Sequence, residues 1–133
     1  MTKILAHHFR SVLNKKVLLS ATTGAAAHRL SRSASTVHNS FVLPTKGYIR
    51  QLRQDNVMRD VMQQSEVFII DEMSMMTTEL LSNVLNRLMQ VKGYRSISTL
   101  LENIILILVG DHAQVIHLIY YKYIFAYKYI LVL

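Results

Sequence analysis

Val67-Phe68-Ile69-Ile70 runs without a break into Asp71-Glu72. Three β-branched side chains and one phenyl ring make a short continuous apolar block. Such a block fits a strand covered on both faces of a parallel sheet. In sheets of that kind ligands sit just past the carboxyl ends of the strands, where this chain delivers two adjacent carboxylates. One carboxylate of such a pair can help hold Mg²⁺, and the other can polarise a water for attack on a phosphoryl group. A buried strand that ends at a solvated acidic turn gives the same pattern, so the rest of the chain has to weigh the two.

Two further segments repeat the logic. Ile104-Ile105-Leu106-Ile107-Leu108-Val109 reads as a strand ending at Gly110-Asp111-His112-Ala113-Gln114. Val17-Leu18-Leu19 reads as another, followed by the hydroxyl-rich turn Ser20-Ala21-Thr22-Thr23-Gly24. Helices are expected between them. Residues 1–14 place Ile4, Leu5, His8, Phe9, Val12 and Leu13 on one stripe. Ala25-Ala26-Ala27 favours a helix starting at Gly24, and residues 49–64 have a ragged helical pattern. Thr77 or Thr78 can cap a helix whose apolar face is Leu80, Leu81, Val84, Leu85 and Leu88, with Gly93 as its stop. Residues 92–103 are mixed, and Met73, Met75 and Met76 read as packing. Three strands alternating with helices give the α/β class.

Charge decides what kind of partner to look for. The net charge is +7, yet residues 1–54 carry nine Lys and Arg and no acid, while all eight acids fall between Asp55 and Asp111. That asymmetry favours a polyanion such as a phosphate backbone, against the plainer reading of a solvated basic face. The Ser-, His- and Arg-rich stretch 28–47 suits sugar–phosphate contacts, or equally an exposed loop. The six histidines have no usable metal-ligand spacing, and the absence of cysteine removes disulfide and thiolate sites. At 133 residues the chain is sized for one domain, and its start lacks a secretory apolar core. No segment before residue 115 is expected to span a membrane, and no membrane partner is expected.

Given these strand ends, the chain resembles the superfamily-one DNA helicases of the Pif type, relatives of RecD, in particular the plant and Helitron-transposon branch. Leu18 to Ala27 looks like motif Ia, and Thr36-Val37-His38-Asn39-Ser40-Phe41 looks like motif Ib, with Asn39 in a usual Ser place. Phe68 to Met76 is close to the Walker B motif, and Leu108 to Gln114 looks like motif III. The four motifs come in family order and cover about residues 3–114. The resemblance implies a partial RecA-like P-loop NTPase domain, a parallel sheet flanked by helices. It implies ATP and Mg²⁺ as cofactors: Asp71 holding the metal, Glu72 activating the attacking water, and Gln114 sensing the γ-phosphate. Thr23, Gly24 and His38 would touch single-stranded DNA. The implied activity is ATP-driven 5′-to-3′ unwinding in repair, recombination and telomere maintenance, inside the cell, with the nucleus expected before the mitochondrion.

The departures from the family pattern matter as much. The family carries a phosphate-cradling Gly-x-x-Gly-x-Gly-Lys-Thr loop before the helix matched by residues 3–14. The four glycines here are Gly24, Gly47, Gly93 and Gly110, and none precedes a Lys-Ser/Thr pair. The expected fold therefore lacks the P-loop strand, and the isolated chain is expected not to hydrolyse ATP. The alternative function is a non-catalytic remnant that binds single-stranded DNA through its basic first half. Residues 1–114 form the expected domain. Residues 115–133, with five tyrosines, Phe125 and only Lys122 and Lys128 as charges, depart from the family and read as foreign sequence.

Overall fold

The computed structural model describes residues 1–110 and 130–132. Its centre is the pair of apolar runs read above: β1, Val17–Ala21, lies parallel to β3, Val67–Asp71, with Val17 opposite Val67 and Ala21 opposite Asp71. On the other side of β3 lies β4, Ile105–Leu108, with Val67 opposite Ile105 and Ile70 opposite Leu108. A two-residue strand β2, Ser35–Thr36, extends the sheet beyond β1, and β5, Ile130–Val132, extends it beyond β4. The sheet order is β2-β1-β3-β4-β5, parallel throughout.

Successive side chains of a strand point to opposite faces, so each continuous apolar run supplies two cores at once. Leu18, Phe68, Ile70, Leu106 and Leu108 face one side, and Leu19, Val67, Ile69 and Ile107 face the other. The first core is closed by α3, Val37–Ser40, α4, Val57–Gln64, α5, Thr78–Lys92, and α6, Ile97–Asn103. The second is closed by α1, Thr2–Ser11, and α2, Gly24–Leu30, through Ala6, Ala26, Ala27 and Leu30. All four residues Val67 to Ile70 are fully buried, each contributing about 1.5–3 kcal/mol of burial free energy relative to exposure. The α/β class and the helix-flanked parallel sheet are as expected.

The differences have local causes. The first helix stops at Ser11, and its sheet-facing side is Thr2, Leu5, Ala6 and Phe9. Ile4 and Val12 are 75% and 65% exposed, because Leu5, Ala6 and Phe9 are the residues packed in the core and these two lie off that face. Of residues 49–64 only Val57–Gln64 is helical: Asn56 starts the helix by accepting from Met58 N at 2.9 Å, and Leu52 packs from an irregular segment. The mixed stretch 92–103 contains α6, capped by Ser96 and anchored by Leu100 and Leu101. The stretch 28–47 holds the end of α2, all of β2 and α3, none of which has an apolar run to announce it. Met73 and Met76 are core, whereas Met75 is 64% exposed. Asp111, His112 and Gln114 lie outside the described residues.

Candidate functional site

The carboxyl ends of β1, β3 and β4 converge on the pair read from the sequence. Asp71 closes β3 half-buried, and Glu72 follows it, exposed. Asp71 turns one carboxylate oxygen back to accept from Glu72 N at 3.0 Å. Glu72 itself has φ 59° and ψ 44°, a left-handed conformation that costs a non-glycine residue roughly 1–2 kcal/mol. The turn is held from both flanks. On the β1 side, Thr22 N donates to Asp71 O at 3.2 Å and Thr22 Oγ1 donates to Glu72 O at 2.6 Å. On the β4 side, Met73 N donates to Val109 O at 2.9 Å and Val109 N donates to Ile70 O at 2.8 Å. Gly110 lies so close to Met73 that a β-carbon on it would stand 2.4 Å from Met73 Cγ. Only glycine fits there.

Beside this turn stands the start of α2. Thr23 is its N-cap, accepting from Ala26 N at 3.2 Å, and nothing stands within 4 Å of the space beside Gly24. His38 lies in α3, directly after β2, whose register sets Thr36 beside Ala21. Thr22, Thr23, Gly24 and His38 therefore follow the carboxyl ends of adjacent strands, the same edge that carries Asp71 and Glu72. The sequence-read residues are brought to one rim, except Gln114, which lies outside the described residues.

Next to His38 the fold makes an open cavity of about 800 Å³ between α3 and the segment 42–52. Lys46, Tyr48 and Arg50 line it with His38, and Tyr48 is 96% exposed. The segment is pinned from beneath by Arg87, which is 2% exposed. Arg87 donates to Phe41 O at 3.0 Å, Val42 O at 2.8 Å and Arg50 O at 2.7 Å, and also to Gln90. Burial pushes its pKa below the ordinary guanidinium value, yet arginine stays charged in proteins. Sequence reasoning missed Arg87 and the cavity. The signal was a lone cation three residues after Val84, inside the apolar stripe of α5.

A family model described as an AAA domain matches residues 1–119. The chain belongs to that family. The fold of this AAA domain is also that of part of solved Pif1 helicases. It superposes on Bacteroides Pif1 bound to ssDNA with a TM-score of 0.64 at 21% identity, covering 83% of this chain and 26% of that one. A Pif1 structure describing unwinding of forked dsDNA by two coordinating helicases gives 0.66 at 17% identity, with 99% and 36% covered. Bacteroides Pif1 in complex with ADP-AlF4 gives 0.60 at 20% identity, with 99% and 35% covered. This AAA domain thus spans about a quarter to a third of the length of those helicases. No curated protein matches it. The expected Pif-type kinship holds at the level of the fold.

The residues present suit Mg²⁺ in the way this ion is ordinarily bound, through one or two carboxylates with the remaining positions left to water and phosphate. One oxygen of Asp71 is engaged by Glu72 N, which fixes the carboxylate and leaves its other oxygen open. Among the described residues no group of three or more metal-ligating side chains gathers.

Proposed function

We propose that this AAA domain is the carboxylate-bearing part of an ATP-dependent DNA helicase working 5′ to 3′ in DNA repair, recombination and telomere maintenance, in the nucleus. One observation carries the reading: Asp71 and Glu72 share a rim with the hydroxyl-lined start of α2. Asp71, fixed by Glu72 N, is the residue that would hold Mg²⁺, which when bound neutralises phosphate charge. Glu72, exposed and free to reach a water, serves as the general base. Gln114 is proposed to sense the γ-phosphate. Thr23, Gly24 and His38, with the cations Lys46 and Arg50, meet the sugar–phosphate backbone of a single strand, and Tyr48 offers a face for a base. The solved Pif1 structures with ssDNA and with ADP-AlF4 support both ligands as candidates.

The test is ATP hydrolysis in a protein that supplies a phosphate-cradling loop to this chain. A rate that rises with single-stranded DNA and drops about 10²–10⁴-fold in Glu72→Gln is expected, since that is the range of general-base contributions. A rate indifferent to Glu72 sinks the assignment. The second reading, a non-catalytic binder of single-stranded DNA, is favoured by the nine Lys and Arg, with no acid among them, in residues 1–54. It expects the chain to bind oligonucleotides with no hydrolysis in any context.

A further inference from the structure

We infer that Thr22 is a positioning residue that couples the DNA contact at Thr23-Gly24 to the backbone of Glu72, an inference that rests on the DNA-binding reading above. Three observations carry it. First, Glu72 is held in a left-handed conformation that non-glycine residues adopt uncommonly. Its carbonyl must be fixed by neighbours. Thr22 Oγ1 supplies the shorter contact at 2.6 Å, and Met75 N adds a longer one at 3.3 Å. Second, Thr22 uses both of its donors on the same turn, because its backbone N–H bonds Asp71 O. One residue therefore reaches the backbones of both carboxylates.

Third, Thr22 is joined directly to Thr23, which begins α2. A strand of nucleic acid that draws on Thr23 or Gly24 pulls on Thr22, whose own N–H carries the Asp71 contact. The opposite flank is held: Met73 N donates to Val109 O, and Gly110 leaves no room for a β-carbon beside Met73. A displacement at Thr22 is then absorbed at Glu72, the strained member of the turn, rather than by sliding the whole loop. The geometry makes Thr22 a lever whose short arm is the Glu72 carbonyl.

The test uses the 133-residue chain labelled with ¹⁵N and titrated with single-stranded oligothymidylate, following backbone amides by NMR. The amides of Thr23, Gly24 and Glu72 are expected to shift together along one binding curve. In Thr22→Val, which keeps the branched shape and loses the hydroxyl, Thr23 and Gly24 still shift and the Glu72 response is lost. Thr22→Ser restores it. A Glu72 amide that stays still while Thr23 and Gly24 respond in the unmodified chain overturns the inference, and so does an unchanged Glu72 response in Thr22→Val. A loss of fold in Thr22→Val leaves the unmodified chain and Thr22→Ser to decide. If no amide shifts at all, the DNA-binding reading itself has failed. The outcomes separate cleanly.

Discussion

Arg87 carries a charge where water hardly reaches, and its four acceptors explain why it can. Three backbone carbonyls and the Gln90 amide oxygen take its N–H groups, and Gln90 in turn accepts from Leu52 N at 3.2 Å. Both ends of the segment 42–52 are thereby tied to α5. Arg87→Met is expected to cost about 2–4 kcal/mol in denaturant unfolding, since it orphans buried carbonyls. Arg87→Lys is expected not to restore it, because an ammonium lacks the planar fork that serves several acceptors. Gly110→Ala is expected to cost about 1–3 kcal/mol by overpacking against Met73, read from the same unfolding curves. Glu66 gives a pH signature. Its hydrogen bond to Lys15 at 2.6 Å, with the charge of Lys15, holds its carboxyl below the usual range. A group whose pKa is lowered on folding stabilises the fold above its unfolded value, and that contribution disappears as pH falls through the folded value. Unfolding measured through the acid range should show this slope, and Lys15→Met should flatten it.

At the scale of elements, caps decide where helices begin. Thr77 accepts from Leu80 N at 3.0 Å, Glu79 sits in the first turn, and Gly93 at φ 76° ends the helix. Each follows from residue chemistry alone. Thr77→Ala is expected to destabilise the protein by about 1 kcal/mol, with Thr77→Ser close to neutral, as thermal unfolding would measure. The end of α4 is closed differently, by a side chain from a distant element. Lys92 Nζ donates to Gln63 O at 3.0 Å and Ser65 O at 2.8 Å and stands 5.7 Å above the Phe68 ring. Partial burial lowers its pKa, with the nearby Glu66 charge opposing the shift. Periodicity cannot announce such a contact, because its partners lie 27 and 29 residues away.

For the whole molecule, nine Lys and Arg with no acid in residues 1–54 are expected to favour a polyanion. Affinity of the chain for single-stranded oligonucleotides is expected to fall linearly in log K against log salt, with a slope of about −0.7 per phosphate neutralised. Neutralising Lys46 or Arg50 should reduce that slope by about that amount each, with little dependence on base sequence. Binding indifferent to salt would remove the proposed interface.

The sequence alone determined the strands at the centre of the sheet and the carboxylates at their end. A continuous apolar block needs cover on both faces, and in an α/β chain only a central parallel strand receives it. It likewise determined α5, through cap, stripe and terminal glycine. Tertiary structure decided the rest. Ser35–Thr36 becomes a strand because Ser20 and Ala21 offer an open edge, and Ile130–Val132 because β4 does. The exposed side of α1 was settled by which of its residues, Leu5, Ala6 and Phe9, pack in the core. The hold on Glu72 came from Thr22, 50 residues earlier. Local pattern reports what a residue prefers, whereas a hydrogen bond or a fit against a distant neighbour exists only once the chain has closed on itself.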